Sequence, residues 1–147
     1  MTAPASNQWR MALALQQAQL QATVARLDAG TANACVRLYK SVRPEALGQP
    51  DTPMAVVTLA RPCGIVSEDG LLVLQPADLV GTMVLESGQP RWAELVAGDG
   101  TVLLDGGVTD AAHDGCFQVS GAATPEGDDS PMFYAGALLT LAPTALT

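Results

Sequence analysis

The chain has 147 residues, which is one domain's worth, and a domain of that size buries about 70% of the surface of its unfolded chain. It carries 15 acidic and seven basic residues, so its formal net charge is −8. Acidic surfaces repel nucleic acid and anionic lipid, and no apolar run approaches membrane-spanning length, so we expect neither nucleic acid nor a membrane as partner. These acidic side chains either attract a basic protein partner or only keep the domain soluble.

The charge is divided unevenly along the chain. Residues 1–67 hold six basic and three acidic residues, a sum of +3, whereas residues 68–147 hold one basic residue, Arg91, and twelve acidic ones, a sum of −11. Cys35, Cys63 and Cys116 lack metal-ligand spacing and lie in or beside apolar runs. They are therefore predicted to be core thiols of a protein made in a reducing cytoplasm. The apolar stretch 11–15 is too short for a signal peptide.

The first predicted element is an α-helix over residues 8–29, after a flexible arm. Ala, Gln, Leu and Met dominate this stretch, and all four are good helix formers. Ser6 or Asn7 is predicted to cap the start, and Gly30 to end the helix in a left-handed turn. The apolar side chains predicted to share one face are Trp9, Leu13, Leu20, Val24 and Leu27. So thin a stripe must dock on something, either the chain's own β-domain or a neighbouring subunit.

After Gly30 the pattern changes to short apolar runs separated by turns rich in Gly, Asp and Pro. The eight or nine predicted strands are 34–40, 54–59, 65–66, 71–74, 80–85, 91–96, 101–104, 116–120 and 132–141. Turns at intervals of about ten residues are typical of a β-sandwich, with a jelly roll as the leading topology. We therefore predict a mostly-β fold of about eight strands, with an N-terminal arm and helix (1–30) followed by a β-sandwich domain (31–147).

Catalytic and metal-binding patterns are missing from the sequence. His113 is the only histidine, and no Gly-x-Ser-x-Gly or Walker sequence occurs. The paired carboxylates Glu68-Asp69 and Asp128-Asp129 lie in polar turns, and the acids near Asp128 lack calcium-loop spacing. Trp92 lies in an alternating strand, where a core position is expected rather than a sugar-stacking one. We predict no enzyme activity, no cofactor and no metal.

Several short motifs between residues 27 and 142 form a recognisable series. They are Leu27-Asp28-Ala29-Gly30, Val36-Arg37-Leu38-Tyr39, Arg43-Pro44, the strand 54–59 followed by Arg61-Pro62-Cys63-Gly64, Gly81-Thr82, Pro90-Arg91-Trp92-Ala93, and the run 99–108. This series resembles the capsid cement, or decoration, proteins of tailed bacteriophages, which have a jelly-roll fold. The helix before residue 27 and the acidic loop 124–131 depart from that pattern.

The resemblance implies a structural virion protein that is made in the host cytoplasm. It is expected on the outer surface of an icosahedral head, where it binds and bridges subunits of the major capsid protein. Candidate contacts lie in the proline-rich loop 41–53, the acidic loop 124–131 and the C-terminal run 136–141, which is either an added strand for a neighbour or an ordinary core strand. The candidate partner contacts are Arg43, Pro44, Glu45, Glu126, Asp128, Asp129, Leu139 and Leu141.

Two other functions remain open at this point. One is another phage structural part, from the tail or a head fibre, and the other is a non-catalytic β-sandwich module that binds a ligand or a sugar. A homodimer is the expected assembly because two-fold contacts are the commonest closed symmetry, and a trimer is the alternative.

Overall fold

The computed structural model describes residues 2–3, 5–49 and 51–146, and these form a mostly-β fold with one N-terminal helix. This confirms the predicted fold class. The elements are α1 (Leu13–Leu27), β1 (Cys35–Tyr39), β2 (Ala55–Val66), β3 (Leu72–Pro76), β4 (Thr82–Met83), β5 (Trp92–Val96), β6 (Val102–Thr109), β7 (Phe117–Ser120), β8 (Leu138–Leu141) and β9 (Ala145–Leu146).

The strands form one hydrogen-bonded series that curls on itself. Its order is β4-β8-β7-β6-β5-β1-β2-β3-β9, and neighbours are antiparallel except for the parallel pair β6–β7. The segment after β4 closes the curl, because Leu85 N donates to Met54 O (2.7 Å) and Gly136 N donates to Val84 O (2.8 Å). The architecture is therefore consistent with a β-sandwich or a barrel-like fold.

The interior of the curl is an apolar core. Alternating residues of the central strands point into it, including Val36 and Leu38 of β1 and Leu95 of β5. On the other face of the same strands, the rings of Tyr39 and Trp92 stack with their centroids 4.2 Å apart. All five residues of β5 are buried, so this strand is covered on both faces.

The N-terminal helix is shorter than predicted. It begins at Leu13, with Ala12 at the cap position and no side-chain cap, so the predicted caps Ser6 and Asn7 are wrong. Trp9 precedes the helix and its side chain is 97% exposed, which overturns its predicted place on the apolar face. Good helix formers alone do not extend a helix over residues that have no surface to pack on.

The helix docks on the chain's own β-domain. Leu20 and Leu27 are buried, and Gln16 Nε2 donates to Gly70 O (2.7 Å) in the turn between β2 and β3. The helix ends at Leu27, and Gly30 takes the predicted left-handed conformation with φ at +95°. Of the two docking surfaces that the sequence left open, the structure uses the one in the same chain.

Strand boundaries differ from the prediction where Pro and Gly stand inside a strand. The predicted strands 54–59 and 65–66 are one strand, β2, which runs through Pro62 and Gly64 with an irregular register against β3. Residues 80–85 and 132–141 keep only the short strands β4 and β8, while β6 continues to Thr109 through two glycines. Strand β9 was not predicted, because residues 142–147 contain no apolar run.

The three thiols occupy three different environments. Cys63 is buried, Cys35 is half-buried and Cys116 is exposed, so the prediction of a core thiol is wrong for Cys116. Its neighbour Phe117 fills the core instead. Burial and the adjacent Asp28 carboxylate raise the pKa of Cys63 to about 12.

Alkylation at pH 8 is expected to label Cys116 first and Cys63 last. The thiolate is the reacting species, and Cys63 is both covered and held as a thiol. Peptide mass spectrometry after timed iodoacetamide exposure measures the order, with a urea-unfolded sample as the control in which all three react. Equal rates for Cys63 and Cys116 in the folded protein would contradict this placement.

Candidate functional site

The structure brings the proline-rich loop and the acidic loop to one end of the sheet, here called the loop end (residues 41–53 and 124–131). Strand β1 ends at Tyr39, which pairs with Trp92 at the start of β5, so the loop after β1 leaves beside the segment before β5. The acidic loop is bound to that same segment through Arg91. Pro50, predicted to lie in the proline-rich loop, is outside the described residues.

The acidic loop is fixed by Arg91, the basic residue of the otherwise acidic second half of the sequence. Its guanidinium donates to both carboxylate oxygens of Asp128, at 2.7 and 3.1 Å, and Gln89 Nε2 donates to the same carboxylate at 3.0 Å. These bonds hold the pKa of Asp128 well below its usual range. Ser130 Oγ also donates to Pro90 O at 2.5 Å. A bidentate arginine pair of this kind sets the position of a loop as well as adding energy.

The proline-rich loop is fixed by a second arginine pair and by the buried tryptophan. Arg43 Nε donates to Asp105 Oδ1 (3.0 Å), and its Nη2 donates to Asp105 O (3.2 Å). Trp92 Nε1 donates to Ser41 Oγ (3.3 Å), and Ser41 Oγ in turn donates to the Asp51 carboxylate. The bond from Ser41 lowers the pKa of Asp51. Both loops are thus held in place before any partner arrives.

The predicted contact residues of the two loops divide into anchors and exposed groups. Arg43 and Asp128 are engaged in the ion pairs just described, and Pro44 is half-buried. Glu45, Glu126 and Asp129 are exposed. Among the residues that the structure describes, only Asp129 of these three has a cationic group within 4 Å, Arg91 Nη1 at 3.6 Å. These exposed acids are the charged groups of the predicted contact set that remain available to a partner.

Leu139 and Leu141 are corrections to the predicted contact set. Both side chains are buried in the core cluster, so neither lies on the exposed surface that a shell subunit would cover. Strand β8 pairs with β4 at Leu138 and Leu139 and with β7 at Thr140 and Leu141, so each part of it already has a partner strand in the same chain. The run is a core strand, which is the other reading the sequence left open.

Two of the residues that anchor the loops, Arg91 and Asp105, were absent from the predicted contact set. Arg91 carried a visible signal, since it stands alone against twelve acids in residues 68–147. Asp105 carried none, because Asp105-Gly106-Gly107 reads as a turn, whereas the structure places it within β6 opposite the buried Glu94.

An apolar pocket of about 230 Å³ lies between β3, β8 and the segment before β4. Buried Leu74, Leu139 and Leu141 line it together with the half-buried Val73. Asp78 lies at its margin and is exposed. Leu79 also lines the pocket and is exposed. Val80, Met83 and Leu138, each next to a lining residue in the sequence, are exposed as well.

His113 lies in a polar turn near the loop end. Its Nδ1 is 2.6 Å from Asp110 Oδ1, and this bond raises the pKa of His113. The bond from Thr124 and then the bond to His113 lower the pKa of the Asp110 carboxyl group. Thr124 at the edge of the acidic loop donates to Asp110 Oδ2 (2.6 Å). These contacts join the turn to the acidic loop.

The residues that the structure describes hold neither a metal-binding cluster nor a membrane-spanning helix. Within 2–3, 5–49 and 51–146, no three His, Cys, Asp or Glu side chains gather closely enough to bind a metal ion. In the same part of the chain, no helix has the length and apolar character needed to cross a bilayer.

Comparison with protein-family models, with curated proteins and with solved structures found no match to this chain.

Proposed function

We propose that this protein is a non-catalytic structural component of a tailed-bacteriophage virion, a capsid cement protein. It binds the outer surface of the icosahedral head and bridges subunits of the major capsid protein. It acts as a homodimer, and it is made in the host cytoplasm before it joins the head. The family is proposed from the resemblance of residues 27–142, and the binding surface is proposed from the loop end.

The observation that carries the proposal is the pre-positioned pair of loops at one end of the sheet. Arg43 and Arg91 tie the loops to the strands through charge-assisted hydrogen bonds. Loops ordered in advance lose little further freedom on binding, which favours affinity. A clip that must hold several shell subunits needs such a rigid, multi-point surface.

The sign of the exposed groups indicates the kind of surface that the loop end fits. Glu45, Glu126 and Asp129 are exposed, while the two arginines are engaged with carboxylates of the same chain. A complementary patch on the shell is therefore basic, and burying the acids against lysine or arginine side chains gives specificity and fast association.

The test is quantitative mass spectrometry of gradient-purified particles from cells that carry this gene. We expect a near-stoichiometric ratio to the major capsid protein, which high salt lowers. The double variant Glu126→Lys, Asp129→Lys is expected to lower occupancy at least about tenfold, because like charges then face each other. Asp69→Lys is the matched control, since Asp69 is exposed in the turn at the other end of β2 and its reversal leaves the loop end intact.

Three results would count against the proposal. Absence from particles would remove the virion role, and a few copies per particle would favour a tail or fibre part. Equal occupancy of the loop-end variant and the control would place the contact on another surface.

A further inference from the structure

We propose that the apolar pocket beside β8 receives Trp9 from a second copy of this chain. Each arm then fills the pocket of the other copy in a reciprocal dimer. The inference deepens the homodimer of the proposed function and rests on it for the expected assembly, but it does not require binding to a phage head.

The N-terminal arm carries an exposed aromatic side chain. Trp9 is 97% exposed, and its neighbour Met11 is half-exposed. Trp side chains are large apolar groups with a polar tip, and they are enriched at the centres of protein interfaces. A bond from Gln8 N to Ala5 O (3.0 Å) folds the chain before Trp9 into a turn, so the indole directly follows a hydrogen-bonded turn.

The pocket has a size and a lining that suit an aromatic side chain. Its volume of about 230 Å³ is on the scale of one aromatic side chain, and its lining is mainly apolar. Leu74, Leu139 and Leu141 are buried core residues, so the inner wall is rigid. The outer wall includes Leu79, whose side chain is 82% exposed and gains cover when the pocket is filled.

The arm and the margin of the pocket carry opposite charges. Arg10 is the one charged residue of positions 2–12 and follows Trp9 directly. Asp78 stands at the margin of the pocket, and neither residue forms an ion pair with any part of the chain that the structure describes. An indole in the pocket brings the adjacent guanidinium to this carboxylate.

The arm that fills the pocket comes from another copy of the chain. Leu13 at the start of α1 packs at Gly70, where an added Cβ would lie 2.9 Å from Leu13 Cδ1. Gly70 lies in the turn before β3, whereas Asp78 lies beyond the other end of that strand. In the same copy the indole does not enter the pocket, since the Trp9 side chain is 97% exposed. The pocket is thus left open to the arm of another copy.

Two copies are enough to form a closed assembly. Because every copy has one arm and one pocket, two copies related by a two-fold axis satisfy both contacts and leave neither exposed. The two contacts form together, so each raises the effective concentration of the other.

The test exchanges charges between arm and pocket in the purified, full-length protein. Arg10→Asp alone places two carboxylates at each contact, and Asp78→Arg alone places two cations there. Each variant is expected to dimerise about tenfold more weakly than the wild type. An equimolar mixture of the two variants restores the dimer, because both contacts of the mixed pair are then of opposite charge. Sedimentation velocity measures the assembly, and circular dichroism confirms that each variant is folded.

A second measurement follows the indole directly. Trp9→Ala is expected to weaken the dimer roughly a hundredfold, since both anchors are lost. In the wild type, quenching of Trp fluorescence by acrylamide rises on dilution as Trp9 leaves the pocket, while Trp92 stays protected. Leu47→Ala, an exposed apolar residue of the proline-rich loop, is the control that leaves the dimer unchanged.

Several results would overturn the proposal. They are a monomeric wild type, a mixture that stays monomeric, and quenching that does not change with dilution, which would mean an indole docked in its own copy or not at all. A trimer would overturn the reciprocal arrangement. None of these results depends on particles, so failure here is separate from failure of the head-binding role.

Discussion

Replacing Trp92 with alanine is expected to lower the free energy of unfolding by about 3–5 kcal/mol, the range for removing a large aromatic side chain from a core. Trp92 is 1% exposed, its ring stacks on Tyr39, and its Nε1 donates to Ser41. The substitution leaves a cavity beneath the first residues of the proline-rich loop and removes one of the bonds that hold it. The loss of stability and a looser loop end are therefore expected together.

Urea denaturation followed by far-ultraviolet circular dichroism measures this change without relying on tryptophan fluorescence. Trp9→Ala is the matched control, because the same chemical change at a 97% exposed side chain costs little at concentrations where the protein is monomeric. Midpoints that fall together for the two variants would contradict the buried position of Trp92.

Gly98→Ala is expected to lower the free energy of unfolding by about 2–3 kcal/mol through overpacking. A Cβ at Gly98 would lie 2.1 Å from Ala32 O and 2.6 Å from Ala29 O, and backbone atoms cannot rotate out of the way. Gly98 N also donates to Leu27 O (2.8 Å), so the turn between β5 and β6 closes against the last turn of α1. Moving the turn away breaks this bond.

Hydrogen exchange distinguishes this mechanism from a general loss of stability. Amides at the C-terminal end of α1 should exchange faster in Gly98→Ala than the drop in global stability alone requires. Gly107→Ala is the matched control, since a Cβ there meets nothing within 4 Å and the backbone has no positive φ. A cost for Gly107→Ala equal to that for Gly98→Ala would contradict the close contact.

The sequence predicted those parts of the fold that depend on local pattern. The helical composition of residues 13–27, the alternation around Val36 and Leu38, and the burial of Trp92 each follow from a neighbourhood of a few residues. The left-handed turn at Gly30 is of the same kind, because glycine alone takes that conformation at little cost.

The parts that could not be predicted depend on contacts between distant residues. Trp9 fits the helical spacing but has no strand beside it, so the helix begins only at Leu13. Pro62 and Gly64 signal a strand end, yet β2 continues because β3 pairs with it on both sides of the irregular stretch, at Leu59 and from Gly64 onward. The ion pairs that form the candidate site join residues 37 positions apart for Arg91 and Asp128 and 62 apart for Arg43 and Asp105. Only the closed sheet makes them neighbours.

The docking of α1 at the turn between β2 and β3 gives the molecule two ends that act separately. Gln16 binds Gly70 at one end of β2, and the proline-rich loop enters β2 at the other end, roughly 35 Å of strand away. Perturbations so far apart, with no shared contacts, combine additively in free energy. A substitution beside the helix can therefore change the stability of the fold without altering the loops. Stability and partner binding can thus change independently in this protein.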